Sequence, residues 1–147
     1  RKTVPATTRY SAPQMNADVS ARLDLEAALR EAVRNPSFAI AYQPMLCLTN
    51  ARICGLAALL RWPRPGHPGV SPAVFVPVLA SLGLIGEVGN WVVDSVCAQI
   101  ARWQRPGLGL FQVAVHISGQ QISSSSLVAD IRQAPENHHV APQRPHG

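Results

Sequence analysis

Two apolar segments, residues 38–45 and 52–62, are separated by a short break around Thr49-Asn50-Ala51. That spacing constrains the fold more than any other feature of the chain. In the first segment Phe38, Ile40 and Tyr42 alternate with Ala39, Ala41 and Gln43, the two-residue period of a strand. The second contains Gly55-Leu56-Ala57-Ala58-Leu59-Leu60-Arg61-Trp62, an apolar run followed closely by Pro63, Pro65, Gly66 and Gly69. A run of this length bounded by glycine and proline reads as a buried strand. The connection is too short for a crossover helix, so the two strands, if paired, are antiparallel. Pro44 has no N–H to give to a ladder and fits only near a strand end or at an edge. Arg61 is delivered to the C-terminal end of the second strand, which is where a site is to be sought.

Helical patterns surround this pair. Residues 1–19, with Pro5 and Pro13 and few large apolar groups, read as a linker. From Ser20 the spacing of Leu25, Ala28, Leu29, Ala32 and Val33 predicts an amphipathic helix, closed by Asn35-Pro36 and helped by a Glu26–Arg30 pair. Ser71-Pro72 is an N-cap followed by proline at the first helical position. The helix it starts has Phe75, Val76, Leu79 and Leu82 on one face and Gly83 at its end, with Pro77 expected to kink it or limit its first turn. A longer helix is predicted from about Gly86 to Gln104, a third strand over Phe111–Ile117, and a short helix capped within Ser123–Ser126 and containing Leu127, Val128 and Ile131. From Pro135 the periodicity collapses, and 135–147 reads as an irregular tail. The expected organisation is therefore a linker over 1–19, a domain over 20–134 and the tail. Its class is α/β. Three strands leave edges unpaired, so the segment looks like the front of a larger sheet.

Composition excludes several functions. Only 14% of the 147 residues are charged and 47% are apolar, a globular balance. No apolar stretch is long enough to span a bilayer, and Arg1-Lys2-Thr3-Val4-Pro5 has no secretory core. The net charge of +5 comes from scattered bases without aromatic interleaving, which reads as surface charge and not as a nucleic-acid face. Cys47, Cys54 and Cys97 are odd in number, lack CxxC spacing and sit among apolar neighbours. They are expected to be buried free thiols in a reducing compartment, which makes the expected location cytoplasmic.

Several motifs occur in a fixed order: Tyr42-Gln43-Pro44, Gly55-x-Ala57-Ala58-Leu59-Leu60-Arg61-Trp62, Val70-Ser71-Pro72-x-x-Phe75-Val76-Pro77, Gly83-Leu84-Ile85, Gly89-x-Trp91-Val92, Ala101-Arg102-Trp103 and Val113-Ala114-Val115-His116-Ile117-Ser118. This series resembles the EAL domain, a family that hydrolyses the bacterial second messenger cyclic di-GMP. Residues 9–20 resemble the joint that follows a GGDEF domain in tandem proteins. The resemblance implies a modified TIM (β/α)8 barrel whose first strand runs antiparallel to the others. Such a barrel needs about 250 residues, so this chain matches its first third to half. The ending Pro145-His146-Gly147, where a further strand is expected, suggests an incomplete barrel left by a frameshift or early stop.

The family chemistry uses Mg²⁺ or Mn²⁺ held by carboxylates and an Asn amide at strand ends. Here the signature Glu falls on Ala57 and the Asn on His116. The eight acidic residues, Asp18, Asp24, Glu26, Glu31, Glu87, Asp94, Asp130 and Glu136, all lie outside the predicted strands. The expectation is thus no metal cofactor, no catalytic residue and no phosphodiesterase activity. By resemblance, Gln43, Leu59 and Arg61 match ligand-contact positions, with Arg61 facing a phosphate. The expected partner is cyclic di-GMP, bound weakly; a protein partner, or self-association through an open sheet edge, is the other. His116 reads as a buried polar strand residue, His138-His139 as tail, Ser118 as lacking a catalytic partner, and Trp62, Trp91 and Trp103 as packing. Two readings stay open: a remnant without independent activity, and a non-catalytic binding or interaction module.

Overall fold

The computed structural model describes residues 12–104, 112–116, 125–138 and 140. Helix α1 (Ala12–Arg34) leads into strands β1 (Ala39–Leu46) and β2 (Ile53–Arg61), then helices α2 (Pro72–Ser81) and α3 (Ile85–Gln104), strand β3 (Gln112–Val115) and helix α4 (Ser125–Asn137). The sheet order is β1-β2-β3, with β1 antiparallel and β3 parallel to β2. The direction of β1 thus follows from the short turn, as expected, while β3 returns parallel through two helices. Pro44 sits on β1, which among the described residues pairs on one side only.

Strand alternation divides the sheet into two faces. Ile40 and Tyr42 of β1, Ala58 and Leu60 of β2, and Val113 and Val115 of β3 share one face and pack into the main core with the helices. That core is centred on Phe75, Leu29 and Leu79, all fully buried. Phe38 lies 6.2 Å from Trp62, 6.1 Å from Phe75 and 6.2 Å from Trp91, ring centre to ring centre. Tyr42 meets Trp103 edge-on at 4.8 Å. All three tryptophans therefore pack, as read. Aromatic pairs of this kind add about 0.5–1.5 kcal/mol each beyond the area they bury.

The two central helices end as their sequences dictate. The Ser71 hydroxyl accepts a hydrogen bond from the Ala73 N–H at 3.3 Å, and Pro72 opens α2. At the other end Gly83 has φ +71°, its N–H reaches Ala80 O at 3.1 Å and the Leu84 N–H reaches Leu79 O at 2.9 Å, a Schellman closure. Helix α3 buries two stripes. Val88, Val92 and Val96 join the main core, while Val93 and Cys97 meet Ala134 of α4.

Several expectations need correction. Helix α1 begins at Ala12, not at Ser20, so residues 12–19 are helical although all are exposed. Helix propagation from a packed C-terminal half, with Pro13 tolerated in the first turn, extends the helix without an apolar stripe. Glu26 pairs with Arg22 at 3.1 Å, not with Arg30; a surface carboxylate has neighbours at both i−4 and i+4. Helix α4 continues through Pro135 to Asn137, because burial of Ala134 against Val93 and Cys97 outweighs the proline. A 2.6 Å contact between His138 Nε2 and Asp94 Oδ1 fastens its end to α3. Of the three cysteines only Cys97 is buried; Cys47 is half-buried and Cys54 exposed. Apolar neighbours in sequence do not bury a residue at a hairpin end. Readings that fall on residues 1–11, Phe111, Ile117, Ser118, Ser123, Ser124, His139 and 141–147 lie outside the described residues.

Candidate functional site

The second face of the sheet carries four of the singled-out residues, Gln43, Ala57, Leu59 and Arg61. Register pairs Gln43 with Ala57, Ala41 with Leu59 and Ala39 with Arg61 across β1–β2, and Ala57 with Ala114 across β2–β3. Gln43, Ala57, Leu59 and Arg61 therefore share the face turned away from the helix-packed core. Gln43 and Arg61 are exposed, Leu59 half-buried. Arg61 lies four residue steps beyond Ala57 along β2, about 13 Å of extended chain. The floor between them is built mostly of small side chains.

At the C-terminal end of β2, the Arg61 guanidinium donates from Nη1 to Leu60 O at 3.1 Å. No described carboxylate pairs with it. Arg61 borders an open cavity of about 430 Å³ with Ala39, Trp62, Pro63, Gly69, Val70, Ser71 and Pro72. The start of α2 thus opens onto the same space, and its positive dipole end adds to the cationic side chain. Arg64 lies over the Trp62 ring at 5.1 Å, close to the same rim. A planar guanidinium and a helix N-terminus suit an anionic ligand oxygen.

Among the described residues, no strand position on this face carries a carboxylate. All eight acidic residues of the chain fall within α1, α3 or α4. Mg²⁺ and Mn²⁺ prefer oxygen ligands, carboxylates foremost. The row at Ala57 offers one side-chain amide, Gln43, and two methyl groups, so these residues do not fit such an ion. Among the described residues no cluster of three or more His, Cys, Asp or Glu forms. His116, expected as a buried strand residue, instead stands one residue past the end of β3 and is exposed. It borders a small cavity of about 40 Å³ with Ala58, Leu60 and Val88, on the helix side of the sheet. The β2–β3 ladder ends at the Ala58–Val115 pair, so His116 lies outside it. His138 faces Asp94, away from the sheet residues discussed here.

Ala114 and the loop residues Val70 and Ser71 were not singled out as site residues by their sequence. The register of β3 is set through two intervening helices, and no local signal encodes it. The Ser71-Pro72 cap was legible as a helix start; that it opens beside Arg61 was not.

A mixed three-stranded sheet with an antiparallel first strand, helices packed on one face and a strand-end arginine on the other makes this an α/β unit. Comparison with known proteins makes this specific. The EAL domain family model matches residues 26–144, and the chain belongs to that family. It is 34% identical over 128 residues to the bifunctional diguanylate cyclase/cyclic di-GMP phosphodiesterase MucR of Pseudomonas aeruginosa, covering 87% of this chain and 19% of MucR. It is 32% identical over 126 residues to the oxygen sensor protein DosP of Escherichia coli, covering 86% of this chain and 16% of DosP. Among solved structures, the MucR phosphodiesterase in complex with c-di-GMP superposes with a TM-score of 0.74 at 33% identity, over 80% of this chain and 47% of that one. The Xanthomonas citri FimX EAL domain in complex with c-di-GMP gives 0.71 at 27% identity, over 85% and 48%. The chain therefore spans less than a fifth of these two curated relatives and about half of the solved EAL chains. No described helix is long and apolar enough to cross a membrane.

Proposed function

We propose that this chain is a degenerate EAL-domain segment of cyclic di-GMP signalling that lacks phosphodiesterase activity of its own. The observation that carries this reading is the row Gln43–Ala57–Ala114 on a strand face without a carboxylate. In-line attack on a phosphodiester by a metal-activated water requires an ion held at the strand ends. A methyl group at position 57 cannot ligate one, and the nearest acidic residues ride on helices. On this reading the chain holds neither Mg²⁺ nor Mn²⁺ at that row. It acts in the cytoplasm, where cyclic dinucleotide signals are made and read.

Arg61 favours a second component, residual capture of the ligand. It is unpaired with any described carboxylate and opens onto a 430 Å³ cavity beside the start of α2. Gln43 and Leu59 extend the same face toward Ala57. One anchoring cation with few further contacts gives weak affinity, because the cost of ordering a dinucleotide is met by few contacts.

Two measurements test the proposal. Incubation with cyclic di-GMP and Mg²⁺ or Mn²⁺, followed by chromatography, is expected to yield no linear dinucleotide; its appearance above a protein-free control would overturn the assignment. Calorimetric titration with cyclic di-GMP then separates the roles. Micromolar binding lost in Arg61→Ala identifies a ligand-capturing module, and absence of binding identifies a segment without independent ligand function.

A further inference from the structure

The end of the β1–β2 hairpin remote from Arg61 carries a different chemistry. The ladder pairs Met45 with Gly55 and Leu46 with Ile53, so Cys54 is the extra residue of a bulge. The Cys47 N–H donates to Arg52 O at 2.8 Å, and the Ala51 N–H to Cys47 O at 2.9 Å. The Cys54 thiol donates to Met45 O at 3.4 Å. These bonds fix the turn with one cysteine on each arm. The thiols also interact: hydrogen bonding to Cys54, then burial, then the Cys54 charge, hold the Cys47 pKa above the ordinary thiol range. Cys97 lies elsewhere, buried between α3 and α4.

We propose that Cys47 and Cys54 form an oxidisable dithiol site that closes to an intrachain disulfide across the hairpin. Cys47 stands opposite Arg52 and Cys54 bulges out beside Met45 and Leu46, so the two are diagonal neighbours across the hairpin. Such neighbours lie about 7–8 Å apart in a regular ladder and a disulfide takes about 4.4–6.8 Å at Cα, so closure draws the two arms together at the bulge. Exposure and the raised Cys47 pKa assign the order of events. The Cys54 thiolate attacks a peroxide oxygen, breaking the O–O bond and giving a sulfenic acid and one water after proton transfer. Cys47 then attacks the Cys54 sulfur, forming the S–S bond and expelling a second water. The two thiols lose two electrons and two protons in all, and one hydrogen peroxide is reduced to two waters. In a reducing compartment the link reverses by exchange with a small thiol. The site is independent of the ligand-binding reading, since it touches neither Arg61 nor Gln43.

The test uses the whole 147-residue chain. The reduced protein is treated with hydrogen peroxide, unfolded, blocked with N-ethylmaleimide and digested with trypsin. Cleavage after Arg34, Arg52 and Arg61 places Cys47 in peptide 35–52 and Cys54 in peptide 53–61. The expected product is a monomer lighter by two hydrogens, with maleimide on Cys97 alone and the two peptides joined. Oxidation in denaturant is expected to add links involving Cys97, and Cys54→Ser to abolish the native link. Maleimide on both Cys47 and Cys54 after peroxide, links only between chains, a sulfinic acid on Cys54 beside a free Cys47, or the same pattern with and without denaturant would each overturn the proposal.

Discussion

Gln43 and Ala57 are direct partners across the antiparallel ladder, an amide facing a methyl group on the open side of the sheet. Ala114 continues the row on β3. These three side chains together offer one amide and no carboxylate.

On the proposed reading, a carboxylate placed at position 57 alone does not confer phosphodiesterase activity. Ala57→Glu puts a carboxylate beside Gln43, but the row gains a single anionic ligand where a divalent cation takes about six oxygens. The expected outcome is no saturable Mn²⁺ binding by calorimetry and no linear dinucleotide by chromatography.

Gly55 is required by close packing between strands. A Cβ there would lie 2.8 Å from Gln112 O and 2.9 Å from Met45 Cε. The methionine end can move; the Gln112 carbonyl belongs to the β3 backbone and cannot move without disturbing the parallel ladder. Gly55→Ala is expected to lower stability by about 1–3 kcal/mol, read from the urea midpoint, with Gly55→Val costing more.

Phe75 links α2 to Phe38 and Trp62, at 6.1 and 5.7 Å, and is fully buried. Phe75→Ala is expected to cost about 3–5 kcal/mol. Against a typical total of about 5–15 kcal/mol, that loss should shift the chain measurably toward the unfolded state, seen as lost tryptophan fluorescence shift and increased dye binding. Phe75→Leu, which keeps most of the volume, should cost distinctly less.

Stability should fall on the alkaline side. Burial, with a smaller contribution from the Asp94 charge, raises the Cys97 pKa, and burial followed by the charge on Cys97 raises that of Tyr42. Their ordinary values are 9.0 and 10.0, so the unfolded chain loses these protons first as pH climbs. The native state then holds more protons than the unfolded one, and unfolding free energy declines with pH. The contribution is complete below the unfolded values and is lost as pH rises through the raised folded ones. Denaturant midpoints should drop from about pH 8 to about pH 10.5, with a shallower slope in Cys97→Ala.

Much of this architecture was legible in local signals. The short turn at Thr49-Asn50-Ala51 fixed the direction of β1, Ser71-Pro72 marked the start of α2, and the alternation in β1 showed which residues share a face. What escaped was set by distant contacts. The bulge that exposes Cys54 depends on how β1 meets β2, and the passage of α4 through Pro135 depends on Ala134 packing against α3. The placement of Ala114 beside Ala57 depends on a connection spanning two helices. Gln43, Leu59 and Arg61 could be placed on one face from alternation, but the open space at Arg61 is made by the loop before α2.

Helix α1 holds its course over 23 residues, about 35 Å at 1.5 Å per residue, with no glycine and no proline after Pro13. Its first half stands in solvent and its second half seats Leu29 and Ala32 in the core. Mechanically this is a lever with its fulcrum in the domain. A tilt or twist imposed near Ala12 meets no hinge before Leu29, so torque on the exposed arm is delivered to the cluster around Phe75.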